Sequence, residues 1–147
     1  MTTYYKGNKK EKIALDTWIK FLRARETVWH RANPSMTTEG VTPTQFAVLE
    51  ALLHLGPLSQ KDISEKLLVS AGNIVMVIDN LERNELVIRK PNPNDRRVYF
   101  ITLTRRGKGL INRLFPIHVK AIIDNLSVLN ENEQQELGRL CKKLGMG

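Results

Sequence analysis

The middle of the chain contains the pattern that most constrains its fold. Ser59 and Ser70 each precede a short segment with apolar residues at helical spacing, and two strand-like segments follow, over residues 86–89 and 98–103. Serine is a favourable N-cap because its hydroxyl accepts a hydrogen bond from a free amide of the first turn. Between the strands lies a basic, proline-containing tip, residues 90–97. Helix, turn, helix and hairpin in this order are typical of a winged helix-turn-helix lobe.

The positive charge of the chain is concentrated in the same region. The formal net charge is +8, and residues 83–108 hold eight basic residues against two acidic ones, a contribution of +6. The isoelectric point is about 9.8. Basic surfaces bind polyanions because each phosphate that Lys or Arg neutralises releases counterions. The pattern therefore predicts binding of double-stranded DNA.

The composition argues against a membrane or secreted protein. No apolar run approaches the roughly 20 residues that span a bilayer. The polar start of the chain lacks the apolar stretch of a signal peptide. A single cysteine, Cys141, leaves no intrachain disulfide and fits a reducing compartment. We therefore expect a cytoplasmic protein.

The sequence contains no motif of an enzyme or of a cofactor site. His30, His54 and His118 lack the spacing of metal ligands, and we expect structural or surface roles for them. Cys141 lies on the apolar stripe of the last helix, where we expect a small buried hydrophobe. No phosphate-binding loop, nucleophile elbow or carboxylate pair is visible. We expect neither an enzyme nor a bound metal or cofactor.

Apolar periodicity divides the chain into a tail, a lobe and flanking helices. Residues 1–10 are expected to form a flexible basic tail, residues 35–104 the winged lobe, and residues 11–34 and 105–147 dimerisation helices. The predicted fold is mainly α with a small β-wing. The flanking helices carry more apolar surface than a small lobe can cover, which favours a homodimer. The alternative is that they pack only on their own lobe.

Local signals predict where the first two helices begin and end. Asn33-Pro34 should end the first helix, and residues 36–41 should form a loop. Residues 42–45, with the sequence Thr-Pro-Thr-Gln, form a capping box with proline at the first helical position.

Similar signals mark the later helices. Asn84 is expected to end the second helix of the central pair in a left-handed conformation. Thr104 should cap a long helix that Pro116 bends. Asn130 should begin the last helix and Gly145 should end it.

The second helix of the central pair has a complete apolar face and a separate outer face. Ile74, Val77, Ile78 and Leu81 form the inner face at about 100° per residue, and Asp79 should point toward other protein groups. A recognition helix reads bases chiefly with its N-terminal residues, where Asn suits adenine and Val or Met suits thymine methyls. The candidate contacts are Ser70, Gly72, Asn73, Val75 and Met76. Placement of Val75 and Met76 in the core is the alternative.

The basic tip supplies a second set of candidates. A narrow minor groove attracts an inserted arginine, and a nearby carboxylate can hold the guanidinium in one orientation. Asp95, Arg96 and Arg97 fit these roles, although a solvated hairpin tip is the alternative. Phosphate contacts are expected from the start of the preceding helix and from the basic residues that follow the wing, which are Ser59, Gln60, Lys61, Arg105, Arg106 and Lys108.

At these residues the chain resembles the MarR family of bacterial transcription regulators. The wing signature of that family, Asp-x-Arg followed by a strand ending in Leu-Thr-x-x-Gly, stands here as residues 95–97 and 103–107. The family pattern before it, Leu-Glu and then Leu-Val, is matched by residues 81–82 and 86–87. The resemblance implies a winged-helix homodimer on a palindromic operator, with Arg97 in the minor groove and Asp95 steering it.

The resemblance also implies release of DNA when a small, often aromatic, molecule binds between the dimerisation helices and the winged lobe. Trp18, Trp29, Phe46 and His118 are candidate contacts for such an effector, and each is read alternatively as core or dimer interface. Glu85 departs from the family, which commonly has glycine there, so the local turn geometry is open. The reactive cysteine that the thiol-sensing branch carries near the start of helix one is absent.

The sequence leaves three functions to compare. The first is a sequence-specific dimeric repressor whose affinity for DNA an effector controls. The second is a winged-helix protein-interaction module without a DNA role, which an acidic or neutral wing would favour. The third is a non-specific architectural DNA-binding protein, which would bind random and operator DNA equally.

Overall fold

The computed structural model describes residues 2–33 and 39–147. These residues form six helices and three strands, so the predicted mainly α fold with a small β-wing is confirmed. In chain order the elements are α1 (Lys9–Ala32), α2 (Pro43–Leu55), β1 (Leu58–Ser59), α3 (Gln60–Leu67), α4 (Ala71–Arg83), β2 (Val87–Asn92), β3 (Asp95–Leu103), α5 (Arg105–Leu126) and α6 (Glu131–Met146).

The chain divides into two compact units. The first comprises residues 1–34 and 119–147, and the second comprises residues 35–118. The sequence places the end of the winged lobe at residue 104. The second unit continues to residue 118 because Ile111 and Leu114, in the first half of α5, belong to its apolar core.

That core joins every element of the winged lobe. Helices α2, α3 and α4, the sheet and the start of α5 each contribute fully buried aliphatic side chains. Each such side chain removes apolar surface from water, which contributes roughly 1.5–3 kcal/mol. The largest are Leu49, Ile63, Ile74, Ile78, Leu81, Ile101, Ile111 and Leu114.

The cap signals predict the helix starts correctly. The side chain of Thr42 accepts a hydrogen bond from the amide of Gln45, whose own side chain accepts one from the amide of Thr42, both at 3.1 Å. Ser59 caps α3 through the amide of Asp62, at 3.1 Å, and Ser70 caps α4 through the amide of Asn73, at 3.3 Å. The predicted loop over residues 36–41 lies partly outside the described residues, which resume at Glu39.

The predicted end of α4 is wrong by one residue. Asn84 has a φ of −84°, and the left-handed residue is Glu85, with a φ of 60°. The amide of Leu86 donates to the carbonyl of Leu81 and the amide of Glu85 to that of Glu82, both at 2.9 Å. This is a Schellman motif, which requires its left-handed residue one position after the cap. Thr104 reinforces it by donating its hydroxyl to the Glu85 carbonyl at 2.6 Å.

Gly107, in the first turn of α5, packs against the turn that follows α4. The side chain of Thr104 accepts a hydrogen bond from the Gly107 amide at 3.0 Å, which caps α5 as predicted. A β-carbon on Gly107 would lie 1.9 Å from the carbonyl oxygen of Leu86. The Leu-Thr-x-x-Gly signature therefore has a physical cause, since only glycine lets α5 approach the exit from α4 this closely. Pro116 lies inside α5, and the bend expected there stays a prediction.

The sheet contains a strand that the sequence did not reveal. Its order is β1-β3-β2, all antiparallel, and β1 is only two residues long. Leu58 pairs with Ile101 and Ser59 with Phe100. A two-residue strand has no periodicity of its own, and a partner some forty residues away determines its conformation.

The wing hairpin is longer and tighter than predicted. Strand β2 extends to Asn92 and β3 begins at Asp95, so the turn is reduced to Pro93-Asn94. Pro91 pairs with Tyr99, whereas the next residue, Asn92, pairs with Asp95. This shift leaves residues 96–98 of β3 without direct partners in β2. Arg96 and Arg97 therefore lie in an irregular part of the strand, and such bulges redirect side chains.

The first unit consists of the terminal helices, and it corrects several boundaries. Helix α1 begins at Lys9 with Asn8 as its cap, so the predicted tail is shorter than residues 1–10. Asn130 begins the last helix as predicted, in a capping box with Glu133. Gly145 does not end α6, which continues to Met146 because Gly147 supplies the C-cap.

Much apolar surface of the first unit faces solvent in the single chain. None of residues 131–146 of α6, all of them described, is buried. Cys141 is therefore exposed, and its predicted burial is wrong for the single chain. The exposed apolar residues of these helices include Ile13, Leu15, Trp18, Leu22, Trp29, Ile123, Leu137, Leu140 and Leu144.

Candidate nucleic-acid interface

The N-terminal half of α4 presents its outer face to solvent. Ile74, Ile78 and Leu81 are buried, whereas Val75 and Met76 are exposed, Met76 by 65%. Ser70, Gly72 and Asn73 are exposed as well. The alternative that Val75 and Met76 belong to the core is therefore excluded, and the outer face at the start of α4 is accessible from solvent.

A shallow cleft of about 570 Å³ adjoins this end of α4. It brings three predicted contact residues, Ser70, Asn73 and Met76, together with residues from the start of α2 and from the preceding turn. Leu68, in that turn, is left-handed, with a φ of 53°, and 93% exposed. The sequence did not predict the other lining residues, although Leu68 and Val69 directly precede Ser70. These other residues are Thr42, Thr44, Gln45, Leu68, Val69, Val77 and Asn80.

The wing arginine is held by the carboxylate that the sequence assigned to it. Oδ1 of Asp95 accepts hydrogen bonds from the backbone amide of Arg97 at 3.1 Å and from its Nε at 3.3 Å. The side chain of Arg97 is nevertheless 91% exposed. A guanidinium that is oriented at one edge and open at the other keeps its terminal donors available for an external acceptor.

A second cleft, of about 370 Å³, connects the wing with the start of α3. Arg97 lines it together with the three residues predicted to contact phosphates at the start of α3. Val98 and Tyr99 complete the lining, and the sequence did not predict them. One signal was available, because residues two apart in a strand share a face and Tyr99 lies two residues after Arg97. The lining is Ser59, Gln60, Lys61, Arg97, Val98 and Tyr99.

One basic residue of the wing faces inward. The side chain of Arg89 is only 21% exposed and is bonded to Asp79, to Glu82 at 2.9 Å and, through Nε, to Gln60 at 3.1 Å. Burial lowers the pKa of Arg89, but the hydrogen bonds to Asp79 and Glu82, together with the negative charges of these carboxylates, outweigh it and raise the pKa above its ordinary value. The prediction that Asp79 points toward protein groups is confirmed.

The candidate effector residues are distributed over both units. Trp18 and Trp29 belong to the first unit and are about half exposed. Phe46 and His118 belong to the second unit, and their ring centroids are 4.7 Å apart. Phe46 is buried in the core, as the alternative reading allowed. Nδ1 of His118 is buried and has no hydrogen-bond partner among the described residues.

Two further observations concern other classes of protein. Within residues 2–33 and 39–147, no helix is both long and apolar enough to cross a bilayer. The same residues contain no group of three or more His, Cys, Asp or Glu arranged to hold a metal ion.

A helix-turn-helix whose second helix faces outward, followed by a wing that carries an oriented arginine, is the arrangement of a DNA-binding transcriptional regulator. A sequence profile of the MarR family matches residues 41–99. The regulator MhqR of Bacillus subtilis is 39% identical over 133 residues, which cover 90% of this chain and 92% of that protein. The transcriptional repressor MdtR of the same organism is 32% identical and covers 75% of this chain and 71% of its own length. The chain belongs to the MarR family.

Solved structures agree with this assignment at the level of the fold. AbsC, a MarR family regulator from Streptomyces coelicolor, superposes with a TM-score of 0.85 at 19% identity, and 97% of each chain is covered. A mutant MarR from E. coli complexed with operator DNA gives a TM-score of 0.80 at 23% identity, with 95% of this chain and 99% of that chain covered. Proteins of this family are transcriptional regulators, so the prediction that the chain is not an enzyme is confirmed.

Proposed function

We propose that this protein is a homodimeric repressor that binds a palindromic operator and releases it when a small aromatic molecule binds. The observation that carries the proposal is the pairing of an exposed recognition-helix start with an exposed arginine that Asp95 orients. The first suits direct reading of major-groove bases, and the second suits a narrow minor groove. As a regulator of bacterial genes, it would act in the cytoplasm.

The predicted base contacts are Ser70, Gly72, Asn73, Val75 and Met76, and the wing contacts are Asp95, Arg96 and Arg97. Their shared exposure supports the proposal. Ser59, Gln60 and Lys61 would hold phosphates beside the wing, where they line a cleft with Arg97. Phosphate contacts position the protein, whereas base contacts select the sequence.

Homodimer formation is supported by the apolar surface of the terminal helices. Helix α6 buries none of residues 131–146 in the single chain, yet it carries Leu137, Leu140 and Leu144 on one side. Contiguous apolar surface of this kind usually marks an interface, and two-fold dimers are the commonest solution. Such a dimer would place two recognition helices about 34–36 Å apart, one turn of DNA.

Repression and effector control are supported by relatives. MdtR is named a repressor. The structure of BpsR of Bordetella bronchiseptica, 22% identical with a TM-score of 0.84, is described as a mechanism for regulation of DNA binding by 6-hydroxynicotinic acid. Trp18, Trp29, Phe46 and His118 are the proposed effector contacts. Intrinsic fluorescence tests this part, because Trp18 and Trp29 are the two tryptophans of the chain, and 6-hydroxynicotinic acid is a suitable first probe.

The decisive test of function is selection of bound sequences from a random DNA library, followed by binding measurements across a range of salt concentrations. We expect an inverted repeat bound by two chains, with affinity that falls steeply as salt rises. Equal affinity for selected and random DNA would indicate an architectural protein. The absence of DNA binding at low salt would contradict both DNA-binding functions and favour a winged-helix protein-interaction module.

A further inference from the structure

Arg89 occupies the point where the three elements that face DNA meet. It lies in β2 and pairs with Ile101 of β3, which is fully buried. Directly paired residues of antiparallel strands point to the same side of a sheet, so Arg89 faces the helices rather than solvent. Its guanidinium is then bonded to Gln60 at the start of α3 and to Asp79 and Glu82 of α4.

The network is closed by the backbone. Oε2 of Glu82 accepts a hydrogen bond from the amide of Arg89 at 3.0 Å, while Oε1 accepts one from the guanidinium at 2.9 Å. Glu82 therefore accepts hydrogen bonds from both the main chain and the side chain of Arg89. An arginine fork that is bonded in several directions fixes distance and angle together, which a single ion pair does not.

The charge of the network has a second consequence. Asp79 is on the outer side of α4, about half exposed, where a free carboxylate would repel DNA phosphates. Arg89 neutralises much of that charge and draws the carboxylate toward the wing. Because each of its three guanidinium nitrogens already donates within the protein and the side chain is largely buried, Arg89 is poorly placed to contact a phosphate itself.

We propose that Arg89 and Glu82 are positioning residues for DNA binding, which set the wing and the start of α3 at a fixed angle to the recognition helix. The inference rests on the proposed function, since it concerns how DNA is held. Neither residue need touch DNA. The wing arginine, Arg97, can reach its groove while α4 occupies the neighbouring one only if the two elements keep one relative orientation.

Glu82→Gln tests the proposal because simple electrostatics and positioning predict opposite results. The substitution removes a negative charge from a DNA-binding lobe, so charge alone should tighten binding. Positioning predicts weaker binding to the selected operator, by about tenfold. The two oxygens of Glu82 accept separately from the backbone amide and the guanidinium of Arg89, and in glutamine one of those oxygens becomes an NH2 group that would face a donor. Glu65→Gln is the matched control, since Glu65 is an exposed residue of α3 that has no bond to Arg89. Its ion pair is with Lys61, so its loss frees a proposed phosphate contact, and this variant should bind as tightly as wild type or more tightly.

A double-mutant cycle shows whether the loss acts through the wing. Arg97→Ala should lose most of its effect in the Glu82→Gln background, because a displaced wing no longer delivers Arg97 to its groove. Arg89→Lys keeps the charge but loses the fork, and it should behave like Glu82→Gln. Circular dichroism at the assay temperature establishes that each protein compared is folded.

The outcomes separate the two proposals. If wild-type protein prefers the selected operator, but Glu82→Gln and Arg89→Lys bind it as wild type does, or their effects add to that of Arg97→Ala, the positioning role is wrong and the proposed function stands. If wild-type protein shows no preference for any DNA sequence, the proposed function fails and the positioning role fails with it. Should Arg89→Lys not fold, the cycle with Glu82→Gln decides.

Discussion

Arg97 donates twice to the same oxygen of Asp95, once from its backbone amide and once from its Nε. A carboxylate two residues before an arginine thus fixes both the local backbone and the direction of the side chain. This relationship gives the Asp-x-Arg signature a physical cause. Because the acidic residue already orders the guanidinium in the free protein, less conformational entropy is lost when that guanidinium binds a partner.

Asp95→Asn should weaken operator binding by about fivefold, although it makes the wing more positive, because loss of one charge-assisted hydrogen bond is equivalent to about 1 kcal/mol. Fluorescence anisotropy at one salt concentration measures the change. Asp124→Asn is the control, since it removes an equal charge from an exposed ion pair with Lys120. Tighter operator binding by Asp95→Asn would show that the charge of Asp95, and not its orienting role, is what matters.

Asn73→Ala should change which base is preferred at one position of each half-site. Asn73 is exposed in the first turn of α4, and a bidentate contact to adenine provides about 1–3 kcal/mol of discrimination. Affinities for the four base variants at each operator position measure the effect. A uniform loss over all positions would assign Asn73 to the phosphate backbone instead.

Gly107→Ala should destabilise the protein by about 2–4 kcal/mol, because the new methyl group would overlap the carbonyl of Leu86. Gly109→Ala is the matched control in the same helix, where an added β-carbon meets nothing within 4 Å. It should raise the free energy of unfolding by up to about 1 kcal/mol through helix propensity. Urea denaturation of both variants measures the difference, and equal stabilities would contradict the close approach of α5 to the exit from α4.

Glu85→Gly should stabilise the protein by about 1 kcal/mol, because Glu85 occupies the left-handed region that disfavours side chains. Its only described ion pair, with Arg106 at 3.5 Å, is exposed and contributes little. Glu85→Ala serves as the control because it removes the ion pair without relieving the backbone. An equal increase in the free energy of unfolding for the alanine and glycine variants would show that the Glu85 side chain, and not its backbone conformation, is the cause.

The sequence predicted the helix starts and the outer face of α4, because these features depend on interactions between residues close together in the chain. The hydroxyls of Ser59 and Ser70 and the Thr42 capping box each act within four residues, so the starts of α2, α3 and α4 could be predicted without knowledge of the fold. The outer face of α4 followed from periodicity, because its apolar stripe was complete without Val75 and Met76.

Interactions between distant segments decide the features that the sequence did not reveal. The left-handed residue after α4 is Glu85 rather than Asn84, and Thr104, nineteen residues later, reinforces that turn by donating to the Glu85 carbonyl. The network of Arg89 joins residues up to 29 positions apart. One signal could have found it, since Arg89 shares the alternation of buried Val87 and should therefore face inward.

Operator affinity of Arg97→Ala, measured by anisotropy at fixed salt beside wild type and Arg23→Ala, tests the central claim most directly. Arg23 is an exposed residue of α1 outside the proposed nucleic-acid interface, so it corrects for loss of one positive charge. We predict a loss of at least tenfold for Arg97→Ala, within the roughly 1–3 kcal/mol expected of a specific arginine contact, and little change for Arg23→Ala. Equal affinities for Arg97→Ala and wild type would contradict the assignment of the wing to DNA.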